Sequence, residues 1–133
     1  MMVVDTSAVL AILLDEPERD TFRRLLLPGP SVISAGTLVE TLRVASRHKR
    51  RTAPDGVWEF LELFAVAVVP VDAAQARLAD EGQRRFGIGR AAPPAVLDFG
   101  DLFAYALARH LDAPLLYKGD DFGRTDLRPA FSL

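Results

Sequence analysis

The chain carries the run Val66-Ala67-Val68-Val69-Pro70-Val71. It is apolar at consecutive positions and rich in β-branched side chains, the pattern of a strand in a parallel sheet covered on both faces. Working outward, Pro54-Asp55 opens a helix before it (Val57, Trp58, Leu61, Phe64), and Asp72–Arg85 reads as an amphipathic helix after it. Further apolar runs that read as strands are Met1–Val4, Ser31–Ser34 and Pro114–Tyr117. Between the first two lies a helical pattern (Leu10, Leu13, Leu14) that breaks near Asp15–Pro17 and resumes at Phe22–Leu27, before a turn at Pro28-Gly29-Pro30. Ser34 is placed to cap a helix reaching about Lys49. Gly87–Val96 is a loop, Phe99–Leu111 a helix, and Gly119–Leu133 irregular with an edge strand. Strands alternating with helices predict one α/β layered domain around a mainly parallel sheet, with the ligand site beyond the carboxyl ends of the strands.

Composition narrows the function. The chain has 133 residues, half of them hydrophobic, and no cysteine, which excludes disulfide scaffolds and cysteine-ligated metal. Eighteen acidic against 16 basic side chains give a formal charge of -2 and exclude a protein that holds nucleic acid or anionic membrane by bulk charge. The longest apolar stretches, Ala8–Leu14 and Ala65–Val71, are far shorter than the ~20 residues of a membrane helix. The first positive side chain is Arg19, so no signal-peptide n-region is present and the cytoplasm is the expected location.

Most of the acids have ordinary explanations. Asp15, Glu16, Glu18 and Asp20 cluster at the helix break, and Glu59, Glu62, Asp80 and Glu81 lie opposite apolar helix faces, so both groups read as solvated surface. Asp5 ends the first strand and is followed by Thr6-Ser7; it reads equally as a helix N-cap, worth about 1 kcal/mol, and as a site residue at the sheet edge. Glu40 lies in the second turn of the helix after the second strand, with Arg43 as an ordinary surface partner. In Asp98-Phe99-Gly100-Asp101, the two aspartates suit a helix start; Gly100, costly in a first turn, would let a group approach the backbone beside Asp101. Asp120-Asp121 follow the fourth strand. Together, Asp5, Glu40, Asp101 and Asp121 all follow strands at one sheet edge. Converging carboxylates repel unless a cation lies between them, and an all-oxygen set suits Mg²⁺ or Mn²⁺ rather than zinc.

Val4-Asp5-Thr6-Ser7-Ala8, Glu40, Leu97-Asp98-Phe99-Gly100-Asp101 and Leu116-Tyr117-Lys118-Gly119-Asp120-Asp121-Phe122, with Thr125-Asp126, stand in an order and spacing that resembles the PIN-domain ribonucleases, specifically the VapC-type toxins of bacterial toxin–antitoxin pairs. The resemblance spans nearly the whole chain. It implies a three-layer α/β/α sandwich with about five parallel strands. It also implies a Mg²⁺-dependent endoribonuclease and a cognate antitoxin that blocks the site. Asp5, Glu40 and Asp101 match the family's first three acids, and Asp121, which precedes Phe122, matches the fourth. Asp98 stands where many relatives have asparagine and Leu102 where many have cysteine, and the Gly87–Val96 loop departs from the usual Gly-rich segment. Asp98 could add charge near the metals or serve only as a cap.

The chemistry so implied is hydrolysis of an RNA phosphodiester by in-line attack of water, with Asp5 and Asp101 as direct ligands and Glu40 and Asp121 completing the cluster. Arg43, Arg47 and Arg51 continue one helix face from Glu40 and are candidates to guide the RNA backbone, with Arg90 and Lys118 as weaker ones. His48 and His110 have no clear catalytic place. Trp58, Phe60, Phe64 and Leu25–Leu27 exceed the evident needs of one small core, which suggests a homodimer or a toxin–antitoxin hetero-oligomer. The competing readings are a non-catalytic PIN-like RNA- or protein-binding module and a metal-dependent phosphatase-like hydrolase. The phosphatase reading lacks a second aspartate two residues after Asp5.

Overall fold

The computed structural model describes residues 1–48 and 53–131. In chain order the elements are β1 (Met2–Val4), α1 (Thr6–Leu13), α2 (Arg19–Leu26), β2 (Ser31–Ser34), α3 (Ala35–Arg47), α4 (Ala53–Leu63), β3 (Val66–Val69), α5 (Ala73–Phe86), α6 (Asp101–Leu111), β4 (Leu115–Leu116) and a 3₁₀ turn at Phe122–Arg124. The sheet order is β3-β2-β1-β4 and every pairing is parallel. The side-chain period of two is visible across the central strands. Val3, Val32 and Leu115 face one layer, while Val4, Ile33 and Leu116 face the other. The first face packs with Leu97, Ala104, Tyr105 and Leu107, and the second with Val9, Ile12, Phe22, Val57 and Phe60. Both faces of β1 are therefore covered, as the three-layer expectation requires.

Local chemistry starts the helices where the strands stop. Asp5, Ser34 and Asp72 are extended in backbone and accept N–H bonds from Ser7, Gly36 and Gln75 at 3.1, 3.2 and 2.9 Å, capping α1, α3 and α5. The expected break after α1 falls at Asp15, which adopts a left-handed φ of 56°.

Three expectations change. The Val66–Val71 run is not covered on both faces: β3 is the outer strand, paired only with β2, and Val68 is 44% exposed. Its apolar content follows the pleated backbone's preference for β-branched side chains as much as burial. Among the described residues the sheet has four strands, not about five. The expected edge strand is reduced to one parallel bridge, Leu115 to Pro129, made by Leu115 N–H to the Arg128 carbonyl (2.9 Å) and Ala130 N–H to the Leu115 carbonyl (2.8 Å). Finally, Phe60, Phe64 and Leu26 are core residues, so the apolar surplus on these helices is confined to Trp58, Leu63 and Leu27, all exposed. Among the described residues, no helix is long and apolar enough to cross a membrane.

The C-terminal segment is tied down by Asp126. Its Oδ1 accepts from the Tyr105 hydroxyl at 2.9 Å, and its Oδ2 meets Arg109 at 2.9 Å and Arg85 at 3.2 Å. Tyr105 is itself fully buried. Asp126→Ala leaves the Tyr105 hydroxyl without its acceptor and the two guanidinium groups with Glu81, at 3.6 Å from each, as their remaining carboxylate, so chemical denaturation should show a loss of roughly 1–3 kcal/mol. Tyr105→Phe, which removes the stranded donor as well, should cost less.

Candidate active site

β1 delivers Asp5 to the carboxyl edge of the sheet, where its N–H donates to the Leu116 carbonyl at 3.0 Å. The side chain is buried. Its Oδ2 accepts from the N–H of Ser7 (3.1 Å) and the hydroxyl of Ser7 (2.6 Å), so Asp5 is the N-cap of α1 as well as a resident of the site. Its Oδ1 is buried with no hydrogen-bond partner. The Ser7 hydroxyl in turn accepts from Lys118 N–H at 2.9 Å, which fastens the strand-exit loop after β4 to Asp5.

Glu40 comes from the second turn of α3. Its Oε1 accepts from the Thr6 hydroxyl at 2.7 Å, and Thr6 also lies 2.9 Å from the Thr41 hydroxyl. Its Oε2 rests on Gly100, where any Cβ would overlap it. The group that approaches the backbone beside Asp101 is thus the protein's own glutamate. Asp98 and Asp101 bond reciprocally: Asp98 N–H donates to Asp101 Oδ2 (3.0 Å), and Asp101 N–H donates to Asp98 Oδ1 (2.9 Å). This is a capping box built from two aspartates.

Electrostatics confirm that these four acids are neighbours. Burial pushes the Asp5 carboxyl above its ordinary range against the bonds from Ser7, and Asp98 raises it further. Burial likewise raises Glu40, opposed by Thr6 and reinforced by Asp5 and Asp98. Asp101 is pushed up to about 8, first by burial, with the Asp98 N–H opposing and the charges of Asp98 and Asp5 adding to the rise. Each acid is held through one oxygen by a local donor. Among the described residues, no three of them already stand as a metal-chelating group. The donor set nevertheless fits a hard divalent cation: it is all oxygen, mutually repulsive, and includes a buried carboxylate oxygen with nothing to bond.

Other expected residues fall in different places. Asp121 is exposed before the 3₁₀ turn, and no interaction given for the described residues joins it to Asp5, Glu40 or Asp101. Asp120 lines a separate groove of about 780 Å³ with Lys118, Tyr117 and Arg124. Lys118 is not available as a simple RNA contact, because it is paired with Glu16 at 2.7 Å and Glu18 at 3.2 Å. Those two acids are therefore not purely solvated surface. Arg43 and Arg47 line a groove of about 520 Å³ with Glu40, Asp98, Gly100 and Phe99. Arg51 lies outside the described residues, and Arg90 is on an exposed turn. His110 is in the last turn of α6, at the far end from Asp101. Sequence reasoning assigned no role to the hydroxyls of Thr6 and Ser7; their position directly after Asp5 was the available signal.

The family profile described as the PIN domain matches residues 2–127. The ribonuclease VapC42 of Mycobacterium tuberculosis is 40% identical over 130 residues, covering 97% of this chain and 98% of that one. A ribonuclease VapC of Mycolicibacterium smegmatis is 40% identical over 131 residues, covering 95% and 97%. The chain belongs to the PIN-domain VapC family. Solved structures agree on the fold: VapC20 of M. tuberculosis, a toxin that cleaves the sarcin–ricin loop, superposes with a TM-score of 0.72 at 21% identity over 97% of this chain and 100% of its own. VapBC2 of Rickettsia felis, bound to a fragment of promoter DNA, gives 0.71 at 18% identity over 96% of each.

The raised carboxyl pKa values carry a stability consequence. A carboxyl that titrates higher folded than unfolded favours the fold at low pH, and that contribution is lost as pH climbs from about 4 through about 8. Asp5→Asn keeps an oxygen for Ser7 and removes one of the repelling charges. In EDTA at pH 8 this variant should melt roughly 3–8 °C above the parent, and the gap should close toward pH 5 in a thermal-shift series.

Proposed function

We propose that this VapC-family protein is an endoribonuclease that depends on a divalent cation, Mg²⁺ or Mn²⁺, and is neutralised by a cognate antitoxin. The observation that carries the reading is the buried, unpartnered Oδ1 of Asp5 among Glu40, Asp98 and Asp101. Asp5, Glu40 and Asp101 would hold the cation, which when bound offsets their mutual repulsion and polarises a phosphoryl group. Asp121, the expected fourth acid, stands directly before the 3₁₀ turn that follows β4.

The chain's own groups supply the rest. Arg43 and Arg47 flank the groove that leads away from Glu40, so a phosphodiester backbone lying there meets two guanidinium groups before it reaches the acids. Glu40 is held through Oε1 by Thr6, which leaves Oε2 to take a proton from the attacking water; burial raises its pKa, which makes the carboxylate a stronger base. Thr6 and Ser7 are positioning residues that fix the rotamers of Glu40 and Asp5. Phe99 (72% exposed) and Val39 (65% exposed) border the same groove and suit an apolar segment of the antitoxin, so occupying the groove would block RNA access. The named VapC relatives are ribonucleases and the R. felis structure is of a VapBC pair, which supports both halves of the reading.

Purified protein with a structured RNA should cleave it with Mg²⁺ and not with EDTA. Asp5→Asn should lower the rate roughly a hundredfold or more, a barrier cost of about 3 kcal/mol. Metal-independent cleavage, or full activity in the variant, rejects the proposed chemistry. Arg43→Glu with Arg47→Glu should weaken RNA binding and flatten its log–log salt dependence by about 1–2, while Mn²⁺ affinity stays at the parent value. Unchanged RNA affinity removes the guiding role of α3.

A further inference from the structure

We propose that the groove between the loop after β4 and the start of α2 is a nucleobase subsite, with Glu18 as its base-reading residue and guanine as its preferred base. The inference takes its substrate class, RNA, from the ribonuclease reading above; the cation cluster plays no part in it.

Three observations carry it. The first is position. The groove, of about 780 Å³, is lined by Tyr117, Lys118 and Gly119 after β4 and by Glu18 and Thr21 at the start of α2. Lys118 N–H donates to the Ser7 hydroxyl (2.9 Å), and that hydroxyl donates to Asp5 Oδ2 (2.6 Å). One wall of the groove is therefore two hydrogen bonds from Asp5. The groove that holds Arg43 and Arg47 reaches the acids from α3 instead. An RNA strand that follows α3 on one side of its scissile phosphate has a neighbouring nucleotide on the other side, and this second recess is joined to Asp5 through the loop after β4.

The second observation is the chemistry of the walls. Phe22, Tyr117 and Phe131 line the groove as one aromatic cluster, with Phe131 5.6 Å from Phe22 and 5.4 Å from Tyr117 between ring centroids. Among the lining side chains, Glu18 and Asp120 balance Lys118 and Arg124 in charge. A charge-balanced, partly apolar recess suits a flat heteroaromatic base and not a bare anion. The Arg124 guanidinium has no hydrogen bond or ion pair among the described residues, so it is free for the phosphate that accompanies the base.

The third is an under-used acceptor. Lys118 makes its shorter contact with Glu16, at 2.7 Å. Glu18 Oε1 lies 3.2 Å from the same ammonium, buried and outside hydrogen-bond geometry. An ionised carboxylate only accepts, so it selects a base edge that donates. Guanine offers a ring N–H and an exocyclic amine side by side. Uracil offers one N–H between two carbonyls, whose lone pairs face the carboxylate, and adenine and cytosine set their amine beside a ring-nitrogen acceptor.

The test is an NMR titration of the full chain with guanosine, adenosine, cytidine and uridine monophosphates. EDTA is present, so that no cation bridges the phosphate to the acids. Guanosine monophosphate should give saturable shifts at the Gly119 and Gly123 amides and bind roughly tenfold more tightly than uridine monophosphate. Glu18→Gln should bring these two to similar affinities, and Arg124→Ala should weaken all four alike. Thr21→Trp, exposed on α2, should abolish the shifts by filling the groove. Melting curves check the fold of each variant, and the three substitutions act independently enough that one misfolded variant leaves two to decide. The assignment is overturned by inorganic phosphate shifting the same amides as strongly, by equal parental affinity for the guanosine and uridine nucleotides, by parental binding in Thr21→Trp, or by shifts confined to α3. In cleavage of a structured RNA with Mg²⁺, Glu18→Gln should relax the base choice beside the cut while kcat stays at the parental value; an unchanged cleavage pattern removes the base-reading role. A parent that leaves RNA intact rejects the ribonuclease reading alone, because the metal-free titration decides the groove separately.

Discussion

A carboxylate buried at the end of a central parallel strand is the constraint around which this molecule is arranged. β1 has β2 on one side and β4 on the other, with helices over both faces, so Asp5 emerges where water has already been excluded. An ionised carboxylate in such a position costs several kcal/mol unless it is neutralised or met by positive charge. Glu40, Asp98 and Asp101 increase the difficulty by adding like charge. The fold answers with donors on one side of each acid: Ser7 for Asp5, Thr6 for Glu40, and the N–H groups of the 98–101 turn for its two aspartates. What remains undonated is the side of the acids that a cation would occupy.

The helix termini bear on the same balance. α1 and α6 begin at the cluster and α3 begins one turn before Glu40, so N-terminal dipoles favour the ionised acids. A terminus contributes at most about 2 kcal/mol, whereas desolvating a carboxylate costs several. Burial is the larger effect, which is why the acids titrate high despite good capping geometry. The same side chains serve as cap and site without conflict, because capping uses one oxygen and leaves the other.

The sequence made the strand–helix alternation legible because it rests on local chemistry: a short apolar run, then a capping residue, then a helical period. Asp5, Ser34 and Asp72 all cap as read. Strand position within the sheet was not legible, since Val66–Val69 is equally suited to a centre or an edge, and only the order β3-β2-β1-β4 decides it. At the site, motif spacing located Asp5, Glu40 and Asp101 and the special character of Gly100. It could not show that Gly100 accommodates Glu40, because that contact joins residues sixty positions apart.

The formal charge of -2 is compatible with the RNA substrate proposed above because of where the acids lie. Four of the 18 are gathered into the cluster, leaving 14 against 16 basic side chains elsewhere. With screening over about 8 Å at physiological ionic strength, an approaching phosphate responds to its immediate surroundings and not to the sum. In the groove those surroundings are the pair Arg43 and Arg47 and the pair Glu40 and Asp98. A polyanion drawn in by the first pair is repelled by the second unless a divalent cation intervenes. On the function proposed above, the same concentration of negative charge would make the site unreceptive to RNA when metal-free and receptive when loaded, so that cation occupancy would govern substrate binding as well as chemistry.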